Sequence, residues 1–169
     1  NKTPKDFSHG SKTKVWFLCS KRDHAFDMSV KNFTKRHRCG FCSNRRICKA
    51  SDNCKFCISK SCADSHHILK DWNDEKNPRE VFKNSHIKRN FKCSHCKHEY
   101  TQRPHDKIQD HNGCPYCAHK KLCSADKKCS ICFHNSCASD KNILKHWNDE
   151  RNPREVFKSS AKLIHFKCE

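Results

Sequence analysis

Along residues 14–30, KVWFLCSKRDHAFDMSV, apolar side chains recur at every second position. Val15 and Phe17 alternate with Trp16 and Leu18, and after a short polar break Phe26, Met28 and Val30 follow at the same period. Strand periodicity of this kind predicts a β-hairpin whose turn carries Cys19 and His24. Residues 89–102, RNFKCSHCKHEYTQ, predict the same hairpin with a poorer apolar face. Helical spacing shows in Ile68, Leu69 and Trp72, and again in Ile143, Leu144 and Trp147. Each set follows a serine, Ser61 or Ser136, suited to cap a helix, and the tryptophans at this spacing read as core. Cys62 and Cys137 would then lie in a first helical turn, where the positive end of the helix dipole favours a thiolate. NPREVF leads extended out of each helix, with Phe82 and Phe157 as packing residues, so a semi-rigid string of units is expected.

The pattern is a repeat. Cys39, Cys42, Cys48, Cys54, Cys57 and Cys62 return as Cys114, Cys117, Cys123, Cys129, Cys132 and Cys137, each 75 positions later. ILKDWNDEKNPREVFKNS at 68–85 returns as ILKHWNDERNPREVFKSS at 143–160, and Cys19 and His24 match Cys93 and His98 at an offset of 74. Repetition at this period marks each unit as one supersecondary package. We divide the chain into a module at 1–76, a second at 77–151 and the start of a third at 152–169. The third breaks off after Cys168, so a longer array is expected.

Composition limits what can hold such a module together. Only 34% of the 169 residues are hydrophobic, a count that includes the 16 cysteines, and the mean hydropathy is -1.07. A large apolar core is out of reach, and small units held by staples are expected instead. The first module repeats seven cysteines, which cannot all pair as disulfides within it; adding the recurrent histidine gives eight ligands, enough for two tetrahedral zinc sites. C-x2-C spacing suits knuckles in which one tight turn offers two thiolates to one metal. The preferred partition joins Cys19, His24, Cys39 and Cys42 in one site and Cys48, Cys54, Cys57 and Cys62 in the other. In the second module the sets are Cys93, His98, Cys114 and Cys117, then Cys123, Cys129, Cys132 and Cys137. That makes four structural zinc ions per chain. Shorter loops favour this order over a cross-braced arrangement of Cys39 and Cys42 with Cys54 and Cys57. Cys96 has no counterpart in the first module and reads as spare, while His111, which matches His37, rivals His98 as a ligand. His95 and His105 read as exposed polar residues. The fold class expected is a small metal-stapled α+β protein: tandem modules, each a β-hairpin, a knuckle and a short helix.

FKCSHCKHEY, NGCPYCAHKKLC, VWFLCSKRDHAF and RCGFC, joined by ILKDWNDEKNPREVF, resemble the repeats of a zinc-ribbon and treble-clef-like family. Members with an inserted cysteine cluster look like proteins encoded by large DNA viruses. The resemblance covers essentially the whole chain, and it implies that Cys93, His98, Cys114 and Cys117, with Cys19, His24, Cys39 and Cys42, bind zinc. It departs from the family pattern where the glycine before the histidine is Lys97 or Asp23, and where CGFC lacks the knuckle proline. Such proteins are usually taken to bind nucleic acid or to accompany nuclease domains.

Charge gives the remaining clue. The formal net charge is +18, and it falls to about +12 once the thiolate–zinc centres of this partition are counted. Candidate phosphate contacts cluster around the hairpins and knuckles: Lys21, Arg22, Lys35, Arg36, Arg38, Arg45 and Arg46, with Lys97, Arg103, Lys120 and Lys121 in the second module. Trp16, Phe41 and Tyr116 are candidates for stacking on bases. The expected function is nucleic-acid binding, DNA or RNA, with little sequence specificity. The alternative is a scaffold or cement protein in a large assembly such as a virion, its basic face meeting acidic protein surfaces. Closed coordination sets and the lack of any other recurrent catalytic group argue against an enzyme and against a small-molecule substrate. No apolar run approaches the ~18 residues that a membrane span needs, no secretory signal is evident, and a reducing intracellular compartment, in a virion or an infected cell, is expected for free thiols.

Overall fold

Lys14–Leu18 (β1) and Ala25–Ser29 (β2) pair antiparallel, with Val15 opposite Met28 and Phe17 opposite Phe26. Period two here selects the face: Phe26 is buried, whereas Trp16 and Leu18 are 74% and 72% exposed. The computed structural model describes residues 3–35, 38–49, 53–109, 113–125 and 128–168. Arg89–Lys92 (β3) and Glu99–Gln102 (β4) repeat the hairpin, Phe91 opposite Tyr100, and both of these side chains are buried.

Val30 does not extend β2 as its spacing suggests. Ser29 accepts a hydrogen bond from the Asn32 N–H and starts a short helix, Val30–Thr34 (α1). This turn lays Phe33 flat on Phe17, ring centroids 4.1 Å apart. Pro104–Gln109 (α4) occupies the same place after β4. Cys39 and Cys42, like Cys114 and Cys117, follow in tight turns closed by Asn44 and His119, whose φ values of 59° and 54° are left-handed.

Two further helices carry cysteines at their starts. Lys55–Ile58 (α2) has Cys54 at its N-cap, and Ser130–Asn135 (α5) has Cys129 there, its sulfur accepting from the Cys132 N–H. The helices expected to contain Cys62 and Cys137 begin later, as His66–Leu69 (α3) and Lys141–His146 (α6), the second capped by Asp140. Cys62–Asp64 and Cys137–Ser139 are single 3-10 turns, and Ser61 and Ser136 bridge to Phe82 and Phe157 instead of capping. In those returning segments Val81 and Val156 are the buried side chains, with Phe82 and Phe157 half-buried.

The unit boundaries also differ from the repeat arithmetic. Asn1–Asp64 with Asn77–Phe82 forms one compact unit, and Ser65–Lys76 with Lys83–Glu169 forms another. Around 76/77 the tryptophan segment packs forward and the NPREVF segment packs back. Trp72 bridges to Phe91 and meets its ring edge-on at 5.5 Å, while the Cys62 N–H donates to the Val81 carbonyl. Trp147 repeats the first contact with Phe166 at 6.0 Å. In the second unit the hairpin covers a buried polar group. Lys107, fully buried on α4, donates to Asp71 Oδ2 at 2.9 Å and to Tyr100 Oη at 2.8 Å.

Candidate metal centres

Each hairpin turn supplies two centres at once. Cys19 follows β1, its N–H donates to the His24 carbonyl at 2.9 Å, and the Asp23 N–H donates back to the Cys19 carbonyl at 2.9 Å. Closing so tight a loop puts Asp23 at φ 53° and its counterpart Lys97 at φ 60°, the left-handed region that glycine enters at least cost. The missing glycine of the family pattern therefore leaves the turn intact. Histidine and cysteine then diverge. Cys19 Sγ lies 3.6 Å from Cys42 Sγ, whereas His24 Nε2 lies 3.2 Å from Cys54 Sγ and 3.5 Å from Cys57 Sγ.

Among the described residues four groups result: Cys19, Cys39 and Cys42; His24, Cys48, Cys54 and Cys57; Cys93, Cys96, Cys114 and Cys117; and His98, Cys123, Cys129 and Cys132, with donor atoms in each within 4.8 Å of one another. Sulfurs on a tetrahedral zinc at ~2.3 Å bonds stand about 3.8 Å apart. Here Cys93 and Cys117 are 3.7 Å apart, Cys96 and Cys114 3.4 Å, Cys48 and Cys57 3.1 Å, and Cys132 lies 3.7 Å from His98 Nε2. Donor chemistry and spacing both fit zinc, and the four clusters are compatible with four structural zinc sites.

This grouping revises the sequence partition in three ways. His24 and His98 join the second cluster of each module, not the first. Cys96, read as spare, closes the first cluster of the second module. Cys62 and Cys137 stand outside the clusters. Their thiols lie 3.6 and 3.5 Å from the carbonyl oxygens of Phe82 and Phe157, as small buried side chains do in a core. Recurrence made them look like ligands, but a packing position recurs as faithfully as a metal position. The cross-braced arrangement is not formed either. His111 and Arg36 lie outside the described residues. His105 contacts Asp106 at 3.3 Å and the His86 ring at 4.5 Å, and His95 is exposed.

Side chains around the ligands hold them in place. Phe41 stacks on the His24 ring at 4.7 Å and Tyr116 on the His98 ring at 4.1 Å. Neither aromatic is therefore a free stacking platform, whereas Trp16 is exposed. Arg79 and Arg154, which lie in segments whose sequence reads only as connecting, are both buried. Arg79 Nη2 donates to the Cys54 carbonyl at 3.2 Å; Arg154 Nη2 donates to Cys123 Sγ at 3.2 Å and lies 3.4 Å from the Cys129 carbonyl. A guanidinium at a thiolate cluster offsets its net negative charge. The verbatim return of NPRE was the signal.

Without metal the thiols in each cluster share protons unequally. Burial pushes Cys48 and Cys114 up to about 12 and Cys42 and Cys132 up to about 11. Burial also opposes ionisation of Cys54, Cys93 and Cys129, but backbone N–H groups of Cys57, Cys96 and Cys132 outweigh it and hold these thiols below their usual range. A metal entering such a cluster must expel the protons that remain.

Lys21, Arg22, Lys35, Arg38, Arg45, Arg46, Lys97, Arg103, Lys120 and Lys121 are all exposed. Arg46 pairs with Asp27 at 2.9 Å, the Arg22 guanidinium sits 3.9 Å from the Phe56 ring centroid, and Lys97 Nζ donates to the Ser94 carbonyl at 2.6 Å.

A hairpin, a knuckle, and a further helix that brings two thiolates at its N-terminal turn define a zinc-binding treble-clef-like domain with several metal sites, built twice. A family model described as a probable treble clef zinc finger domain matches residues 1–45 and 68–120, and the chain belongs to that family. Both matched stretches stop just beyond a knuckle, so the inserted clusters at 48–57 and 123–132 fall outside them. The chain is also 37% identical over 131 residues to the uncharacterized protein R635 of Acanthamoeba polyphaga mimivirus, a match covering 75% of this chain and 31% of that protein. The chain thus resembles a protein of a large DNA virus and spans about a third of its length. No helix among the described residues is long and apolar enough to cross a membrane.

Proposed function

We propose that this chain binds nucleic acid, DNA or RNA, through a basic surface with little sequence preference, and that its zinc ions serve to fold it rather than to catalyse. The observation that carries the reading is charge placed by metal. Thirteen thiolates among the four clusters, against four divalent ions, leave about -5. The formal +18 then becomes about +13, carried on solvent-facing lysines and arginines of the hairpins and knuckles. In the first unit Lys21, Arg38, Arg45 and Arg46 sit on the very turns that the metals clamp, so their spacing is fixed before a phosphate backbone arrives. Pre-positioned cations on a rigid loop suit phosphates, which recur at regular intervals and carry no sequence information. Trp16, exposed on the outer face of β1, supplies one aromatic surface for a base.

The test is equilibrium binding of the zinc-loaded chain to a generic duplex, a generic single strand and their RNA equivalents, over a salt series. Affinity falling linearly in log–log form with salt, at similar strength across sequences, supports the reading. Arg38→Ala with Arg45→Ala should reduce the slope by about two. Absence of binding at low salt would overturn it and favour the scaffold alternative, in which the same cations meet acidic protein surfaces.

A further inference from the structure

The two modules are not equivalent at their first metal centre. In the second, four cysteines converge: Cys93 and Cys96 from the hairpin turn, Cys114 and Cys117 from the knuckle. In the first, Cys19, Cys39 and Cys42 converge, and no fourth donor joins them among the described residues. The position of Cys96 is held by Arg22, a permanent cation unable to ligate a metal. Its guanidinium is engaged on the Phe56 ring. Beside the three sulfurs lies a cavity of about 450 Å³, which all three cysteines help to line. Leu18, Phe26 and Phe33 give it apolar walls, and the exposed Lys21 and Arg38 bring two positive charges. Lys92, Tyr100 and Lys107 stand at the positions of these apolar residues in the second module, so the apolar lining accompanies the missing ligand.

We propose that Cys19, Cys39 and Cys42 form an open three-thiolate zinc centre whose fourth position takes a small exogenous thiol. Three thiolates on a divalent ion leave about -1, and a metal already bound by sulfur takes a further soft donor readily. A thiolate entering would bring the centre to about -2, which Lys21 and Arg38 offset. Its carbon chain would rest against Leu18, Phe26 and Phe33. On entry the thiol would displace a water molecule from the fourth position, giving its proton to solvent as its sulfur bonds the metal, and no electrons are transferred. The other three centres among the described residues are closed; this one is open and can exchange a ligand.

The experiment uses the full chain, purified without thiols and loaded with four equivalents of cobalt, titrated with mercaptoethanol. Thiolate-to-cobalt charge-transfer absorbance reports each new metal–sulfur bond, independently of any nucleic-acid binding. The expected result is a saturable rise equivalent to one bond per chain. Arg22→Cys restores the missing ligand and should abolish the rise. Cys96→Ala opens the complete centre of the second module and should double it. A chain that takes up only three metal ions would overturn the proposal. So would a wild-type chain with no thiol response, or a rise of undiminished size in R22C. If the wild type is silent and His37→Ala becomes responsive, the chain supplies its own fourth ligand and the proposal fails.

Discussion

Asp23 and Lys97 are the residues on which the geometry of the hairpin turns rests. Each occupies the left-handed region directly before a histidine ligand, where a side chain costs roughly 1–2 kcal/mol relative to glycine. Lys97→Gly should therefore stabilise the zinc-loaded chain by about 1 kcal/mol, and Lys97→Val should destabilise it by a similar amount. Urea unfolding at saturating zinc reads both, and equal stability of the three chains would show that the turn is not under this constraint. The cysteines differ from one another just as sharply. Cys62 and Cys137 contact carbonyl oxygens and not a sulfur cluster, so Cys62→Ala and Cys137→Ala should leave four zinc ions per chain by elemental analysis. Cys54→Ala with Cys57→Ala removes two ligands of one cluster and should leave three. A loss of zinc in C62A would return that residue to the ligand set. Sequence alone could identify the chemistry of these positions but not separate the two roles. Buried thiols in a core and thiolates on a metal recur with the same period, and only the path of the backbone distinguishes them.

At the scale of elements, the hairpins were legible because period two and the ligand-bearing turn agree, and the knuckles because C-x2-C fixes its own loop. The short helices were not. α1 and α4 are a turn or two long, too short to show an apolar stripe, and α2 and α5 owe their position to thiolates at their starts. One consequence of α4 is a buried charge. Lys107 lies over Asp71 and Tyr100, with burial raising the Asp71 carboxyl and the Lys107 and Ser94 donors overcoming that to hold it at about 2. The first module has Phe17, Phe26 and Phe33 where the second has Phe91, Tyr100 and Lys107, so one scaffold accepts an apolar or an ionic filling. Lys107→Met should cost about 3–5 kcal/mol, because it leaves Asp71 buried and uncompensated. Adding Asp71→Asn removes that charge while keeping an acceptor for the Ser94 N–H, which donates to Asp71 at 2.9 Å. The double variant should recover most of the loss in urea unfolding. Strict additivity of the two substitutions would mean that the pair is not coupled.

Over the whole molecule, the metal takes the place of a core. Most of the buried apolar positions are cysteines, and among the described aromatics Phe26, Phe91 and Tyr100 are the buried ones. Each structural zinc contributes apparent folding free energy on the order of 10 kcal/mol near neutral pH. Chelation should therefore unfold both units, with loss of far-UV dichroism that returns when zinc is restored. The sign of the pH dependence follows from the thiols. In the metal-free clusters Cys48, Cys114, Cys42 and Cys132 are held up at about 11–12, so at neutral pH they carry protons that zinc must displace. Affinity then rises with pH, about tenfold per unit for each proton expelled, up to the thiol range, and falls as the solution is acidified. Unfolding by a fixed excess of chelator should accordingly set in earlier at pH 6 than at pH 8, after correction for the chelator's own protonation. A pH-independent midpoint would mean that the thiols are already ionised without metal, and that the fold has enough packing of its own to hold four bare thiolate clusters together.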